Sequence, residues 1–302
     1  MKWRQLAKNY CSNKMLYWLV LPSVVYIIIF CYIPMGGLVI AFQDYSLAKG
    51  VFGSKWVGLK NFSKFFSSMF FGRTLSNTIV LSLLDLLFSF PAPIILALLL
   101  NEVKSNKFKR TIQTMSYMPH FISMVVVASL IMEFTSSDGI IASIVSSMGG
   151  TPRSYISMPQ YFRTIFVVSN VWQSVGFGSI IYLGALSGIN EELYEAARID
   201  GANRIQQTIH VTIPGIVPTI IIMLIMRSGQ ILNVNYEKIL LLYSAATYET
   251  ADVIMTYVYR IGIMNQKYGY STAVGLFNSV VGLIFVMLTN QISKKYTEIS
   301  MF

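Results

Sequence analysis

Apolar residues along this chain come in long runs, so the informative measure is the spacing between successive charges. A hydrocarbon layer about 30 Å thick takes about 20 largely apolar residues per helical crossing. Six stretches meet that length: 15–43, 74–101 with only Asp85 inside it, 111–132, 164–190, 205–226 and 268–293. The fifth opens with polar residues, so its buried part is expected to start near Ile213 and to run past Arg227 toward Asn233. The pattern predicts an all-α integral membrane protein of six helices in a single transmembrane domain, 15–293, with its core from about residue 74. Basic tail 1–14 and short tail 294–302 flank it.

Composition agrees: 54% of the residues are hydrophobic and 12% charged, outside the usual range of soluble domains. Lys2, Arg4, Lys8 and Lys14 precede the first run, which is too long for a cleaved leader and is followed by no small-residue cleavage pattern, so it is expected to be retained. With Lys104, Lys107, Lys109, Arg110, Lys294 and Lys295 they agree with both termini in the cytoplasm. Lys49, Lys55, Lys60, Lys64 and Arg73 fall on the other side, so the basic residues split almost evenly. The net charge of +10 is scattered rather than gathered on one face, which argues for lipid headgroups as its partner and against nucleic acid. Cys11 and Cys31 form no disulfide or metal framework, and His120 and His210 have no metal-ligand spacing around them.

Loop 44–73, rich in aromatic residues, is expected to fold back onto the membrane surface. Pro22, Pro34, Pro91, Pro93, Pro119, Pro214 and Pro218 mark kinks or helix starts, which a bundle tolerates because neighbours satisfy the freed backbone groups. Gly184 and Gly188, four residues apart, predict a close helix contact.

One stretch is polar against this background: EELYEAARIDGANRIQQTIHVTIPG, from Glu191 to Gly215. Asn190 can cap a helix with Glu191 and Glu192 in its first turn, Glu195 and Arg198 are spaced to pair, and Gly201 supplies a stop. Asn203 followed by Gln206 has the spacing of a capping box for a second helix leading to Pro214. The result is a short helix, a turn and another helix, shaped to lie in a groove of another protein.

Glu195-Ala196-Ala197, three residues, Gly201, nine residues, then Val211-Thr212-Ile213-Pro214 resembles the EAA signature of ABC importer permeases of MetI-like fold. FPAPIILALLLNEV from Phe90, YMPHFIS from Tyr117, LYEAARIDGANR from Leu193 and YEKILLLYSAATYETADVIMTYVYRIGI from Tyr236 resemble the LplB-type oligosaccharide and polysaccharide permeases of the carbohydrate group. Met124 and Asn235 depart from the pattern of that group, which often has an aromatic and a glycine there. The resemblance implies that loop 190–214 is a cytoplasmic coupling helix docking on an ABC ATPase dimer through Glu191, Glu192, Leu193, Tyr194, Glu195, Ala196, Ala197, Arg198, Asp200, Gly201 and Pro214. It further implies a second homologous permease subunit, an extracellular solute-binding protein and the plasma membrane of a Gram-positive bacterium.

The chain contains no G-x-x-x-x-G-K-[ST] loop, so ATP and its magnesium are expected on the partner ATPase and no cofactor on this chain. Neither H-E-x-x-H nor G-x-S-x-G is present, which argues against an intramembrane enzyme. For a carbohydrate, amide and aromatic side chains are the expected partners, and the candidates are Trp172, Gln173, Arg227, Gln230 and Asn233, with Tyr117, His120 and Asn278 further out. Each has a plainer reading: Trp172 an interfacial anchor, the amides contacts between helices, Arg227 a snorkelling side chain. Asp85, the lone acid of its span, reads either as a structural hydrogen-bond partner or, with Arg227, as the core of an ion-coupled secondary carrier.

Overall fold

A computed structural model describes residues 2–297, with side chains from residue 14 to residue 295. Among the described residues, six helical stretches are long and apolar enough to cross a membrane: Lys14–Phe42, Phe71–Glu102, Met124–Ser147, Pro159–Leu186, Arg204–Ser228 and Tyr268–Lys295. The chain divides into two compact units, residues 1–66 with 261–276 and residues 67–260 with 277–302.

In the first unit, α1 (Lys2–Ile27) continues through a wider and then a tighter coil to Phe42, with most of its apolar side chains exposed. Cys31 is exposed on it, while Cys11 lies outside the described side chains. The following loop is a small folded piece: β1 (Gln43–Asp44) pairs antiparallel with β2 (Lys55–Trp56), and α2 (Lys60–Phe66) closes it. The Asn61 amide donates to the carbonyls of Ala41 (2.9 Å) and Gln43 (3.0 Å), and Phe42 stacks on Trp56.

The second unit holds α3 (Phe71–Ser89), α4 (Pro91–Glu102), α5 (Asn106–Tyr117), α6 (Met124–Thr135), α7 (Ile140–Ser147), α8 (Pro159–Leu186), α9 (Glu191–Ile199), α10 (Arg204–Gln207), α11 (Ile213–Ser228), α12 (Tyr236–Leu242), α13 (Tyr248–Ala251) and α14 (Ile254–Tyr259). The last helix, α15 (Tyr268–Thr297), contributes its residues from Phe277 onward. The second crossing is thus two helices, because Pro91 has no N–H to continue the ladder from α3. α11 stops at Ser228 instead of running on to Asn233 as expected; residues 229–235 form turns and irregular chain.

Most of the packing follows one face of α8, where Phe162, Phe166, Asn170, Ser174, Gly178, Tyr182 and Leu186 recur every four residues. At one end Phe162, Phe166 and Val167 pack with Leu81, Val127, Ala128, Ile131 and Ile239. Toward the other, Tyr182 and Leu186 pack with Ala97 and Ile216. The third crossing differs from the expected 111–132: its apolar window is Met124–Ser147, and Pro119 and the turn around it separate α5 from α6. α5 packs directly on α8, with Ser116 beside Gly176, while Val127 and Ile131 of α6 share one apolar cluster with Phe162 and Phe166. The close contact expected at Gly184 and Gly188 falls instead at Gly176 and Gly178, where a side chain would meet Ser116 and Pro93; Gly184 has open space around it.

Polar groups inside these helices find partners both along the helix and on neighbouring elements. Thr74, Thr78 and Ser82 on α3 each donate to the carbonyl four residues earlier. Fully buried Asp252 takes Arg260 at 2.7 Å and Arg73 at 3.3 Å, and Thr256 donates to it at 2.9 Å. Burial alone would lower the Arg260 pKa, but hydrogen bonds and charge from Asp252 hold it above its ordinary value. The Asn77 amide donates to the carbonyls of Glu249 and Asp252 and accepts from Arg163, tying α3 and α8 to the α13–α14 segment.

Gly176→Val, with no room against Ser116, is expected to destabilise the permease by about 1–3 kcal/mol, whereas Gly184→Ala changes stability by less than about 0.5 kcal/mol. Thermal unfolding in detergent checks both, and equal midpoints for the two variants would contradict the helix contact described.

Candidate functional site

Between the two apolar clusters of α8 the same helix face turns polar, and a cavity of about 620 Å³ opens there. Its volume lies within the roughly 300–1,000 Å³ common for small-molecule sites. Asp85 and Ser89 come from α3, Pro93 from α4, and Met124 from α6. Asn170, Gln173, Ser174, Gly178 and Tyr182 come from α8, and Met223 and Arg227 from α11. Phe90, His120 and Ile122 come from the breaks between helices, and Gln230, Asn233 and Asn235 from the irregular chain after α11. Because α11 ends early, those three polar residues face open space rather than a helix ladder.

The electrostatics centre on Asp85, whose side chain is 6% exposed. Arg227 forms an ion pair with it, while Asn170 Nδ2 at 3.0 Å and Ser89 Oγ at 2.8 Å both donate to Oδ1. Behind them, fully buried Lys238 donates to Asn170 Oδ1 at 2.8 Å and to Ser169 Oγ at 3.3 Å. One acid is therefore shared between two cations, directly by Arg227 and through Asn170 by Lys238. The Ser82 hydroxyl shares its one hydrogen between the Thr78 and Ile231 carbonyls, which brings the irregular chain against α3. His120 lies flat against Phe177, with ring centroids 4.0 Å apart.

Of the residues expected to meet substrate, His120, Gln173, Arg227, Gln230 and Asn233 share this cavity. Trp172 does not: it lines a separate apolar groove with Leu130, Phe134, Ile165 and Val168, because it projects from a neighbouring face of α8. Tyr117, half-buried at the end of α5, is also outside the lining. Asn278 is buried one layer behind, its amide 3.4 Å from Asn233 Oδ1 and 3.6 Å from Met255 Sδ. Arg227 does not snorkel, since Asp85 holds it. Asn170 and Lys238 escaped notice in the sequence; Asn170 carries a signal, its i+4 place between Phe166 and Ser174, but Lys238 reads as an ordinary surface cation.

The polar loop has the local architecture its sequence predicts. Asn190 Oδ1 accepts from the Glu192 N–H at 3.1 Å, and α9 carries Glu191 and Glu192 in its first turn. It ends at Asp200; Gly201 adopts φ +77°, and the Ala202 N–H reaches back to the Ala197 carbonyl at 2.8 Å. The Asn203–Gln206 capping box opens α10, with bonds of 2.9 and 2.7 Å. Among the described residues no ion pair joins Glu195 and Arg198; Arg204 instead reaches Glu102 at the end of α4, at 3.5 Å. Leu193, Glu195, Ala196, Arg198 and Ile199 are exposed, and Ala197 is half-buried. The Tyr194 hydroxyl lies 3.1 Å from Thr212 Oγ1, in a π turn that runs into α11, whose first turn contains Pro214. Gly215 abuts Ile189, so the loop is pinned where it leaves α8 and where it enters α11.

The family model described as "Binding-protein-dependent transport system inner membrane component" matches residues 65–298. The chain belongs to this family. The permease is 45% identical to protein LplB of Bacillus subtilis (strain 168), over 96% of this chain and 92% of that one. It is 42% identical to the polygalacturonan/rhamnogalacturonan transport system permease protein YteP of the same strain, over 98% and 93%. A crystal structure of a bacterial ABC transporter involved in the import of the acidic polysaccharide alginate matches with a TM-score of 0.90 and 44% identity, covering 97% of this chain and 99% of that one. A further structure, of the bacterial alginate transporter in complex with alginate pentasaccharide-bound periplasmic protein, matches at 43% identity and a TM-score of 0.90, covering 98% and 99%. The family and the mutual pairing of Asp85 with Arg227 leave the ion-coupled carrier reading without support.

Asp85→Ala removes the common acceptor of Arg227, Asn170 and Ser89 and is expected to destabilise the permease by about 3 kcal/mol, while Asp85→Asn, which retains an acceptor oxygen, loses less. Melting temperatures in detergent measure the difference; equal losses would argue against a shared acceptor.

Proposed function

We propose that this permease forms half of the translocation pathway of an ATP-driven importer for an oligosaccharide or polysaccharide fragment. The observation that carries the reading is that the two helices flanking the polar loop, α8 and α11, also bear the polar residues of the cavity, Asn170 and Gln173 on one and Arg227 on the other. The carbohydrate names of the relatives support the substrate class.

In this reading α9 docks in a cleft of an ABC ATPase dimer, presenting Glu191, Glu192, Leu193, Glu195, Ala196, Ala197, Arg198 and Asp200, with Tyr194, Gly201 and Pro214 holding its shape. ATP and magnesium are bound by that dimer. A second, homologous permease completes the pathway, and an extracellular solute-binding protein delivers the sugar. The loop and both termini face the cytoplasm of a Gram-positive bacterium.

Closure of the ATPase displaces α9, and the displacement reaches the cavity along α11. From Ile213 to Arg227 that helix spans about 21 Å at 1.5 Å per residue. With Gly215 against Ile189 at its foot, α11 acts as a rod whose upper end moves Arg227 relative to Asn170. The two arrangements differ in free energy by their contacts with the nucleotide-bound ATPase, which is what lets nucleotide bias the equilibrium. His120, Gln173, Gln230 and Asn233 offer hydroxyl partners to the sugar, with Asn278 supporting Asn233 from behind.

At Gly201 a side chain is forced into the left-handed region, at a strain of roughly 1–2 kcal/mol. Gly201→Val is therefore expected to reduce ATP-driven oligosaccharide uptake by tenfold or so, with the permease still inserted in the membrane and its ATPase subunit recovered in lower yield. Undiminished uptake with normal ATPase recovery would refute the coupling role.

A further inference from the structure

The one acid in the cavity and its cation are unequally placed. The Asp85 side chain is 6% exposed and its oxygens are already occupied by Ser89, Asn170 and Arg227. The Arg227 side chain is 46% exposed and lies along the cavity wall. A guanidinium has five N–H donors, and the bond to Asp85 runs through Nη2 alone. The remaining donors are free to face the cavity. Fully buried Lys238 adds a second positive charge to the same acid through Asn170. Asp85 is the only carboxylate among the described lining residues. Two cations against one carboxylate leave one positive charge in excess at this wall.

We propose that Arg227 selects an acidic, uronate-bearing oligosaccharide over its neutral counterpart by taking the sugar carboxylate on its unused N–H groups. The proposal rests on the carbohydrate reading above. A carboxylate matches the guanidinium fork with two parallel charge-assisted bonds, whereas a hydroxymethyl group offers one neutral contact. Because Arg227 keeps its Nη2 bond to Asp85 while its other N–H groups take the cargo, the acid retains Arg227, Ser89 and Asn170 together, and binding strands no buried charge. Asp85 thus positions the arginine and Lys238 allows it to be shared.

The test uses the whole transporter in proteoliposomes, with its ATPase, second permease and binding protein, and compares uptake of oligogalacturonate with that of the same oligomer after its carboxylates are reduced to alcohols. Because the binding protein is unchanged throughout, a change in the acid-to-neutral uptake ratio between variants reports on the permease. Arg227→Gln is expected to lower that ratio roughly tenfold or more, and Arg227→Lys, which retains the charge, to lower it less. Asn233→Asp, which adds an acid to the same wall, is expected to lower it as well, and decides alone if Arg227→Gln does not assemble. A ratio unmoved in these variants, with both sugars falling together, overturns the proposal and leaves Arg227 a structural partner of Asp85. Equal uptake of both sugars by the unaltered transporter overturns the acid preference but not carbohydrate import. Uptake of neither, with no oligosaccharide stimulating ATP hydrolysis, removes the carbohydrate reading as well.

Discussion

A carboxylate within a membrane-spanning helix has to be neutralised where it stands, and the way Asp85 is neutralised organises this protein. The ionised group has no bulk water to solvate it, so its partners must come from surrounding helices. They come from α8 through Asn170, from α11 through Arg227 and, one bond further, from α12 through Lys238. Four elements, α3, α8, α11 and α12, are thereby held around one side chain. The cavity opens along the polar part of this α8 face: where α8 carries Phe162 and Phe166, or Leu186, neighbours close over it.

The same arrangement connects the site to the polar loop. α8 leaves the cavity and ends just before the cap residue Asn190, and α11 begins just after the π turn and returns to Arg227. The loop is stiff in itself, with its caps filled and its turn set by Gly201, and it is fastened at both feet by Ile189 against Gly215 and by Tyr194 against Thr212. Force applied to α9 therefore has few places to dissipate before it reaches the helices. The Glu102–Arg204 pair is largely exposed and contributes no more than about 1 kcal/mol, so it steadies the loop without locking it.

The loop was legible in the sequence because every signal in it is local. Asn190 and Glu192, Ala197 and Ala202, and Asn203 and Gln206 bond within five residues of one another, so spacing alone implied their geometry. The number of crossings among the described residues was legible for the same reason, since length and apolarity are properties of one segment, although the third lies at Met124–Ser147 and the fifth ends at Ser228. What could not be read was which face of a helix meets which neighbour. Asn170 and Trp172 are two residues apart in one apolar run, yet one faces the cavity and the other an outer groove. Gly184 and Gly188 have the spacing of a helix contact, but the contact is made at Gly176 and Gly178, where Ser116 and Pro93 approach. Lys238 is the extreme case: nothing near it in the chain shows that it is fully buried, because its partners are 68 and 69 positions away.

Asp85 and Arg227 are separated by 142 positions. At a synthesis rate of about 5–20 residues per second, the acid emerges from the ribosome roughly 7–28 s before its cation exists. During that interval the nascent second crossing holds an unmatched aspartate, which at a helix centre disfavours insertion by roughly 2.5–3.5 kcal/mol. The surrounding run, Phe71–Glu102, contains an 18-residue window of mean hydropathy 2.3 and offsets that penalty by its length and apolarity. Biogenesis, as much as transport, therefore limits how polar this helix can become.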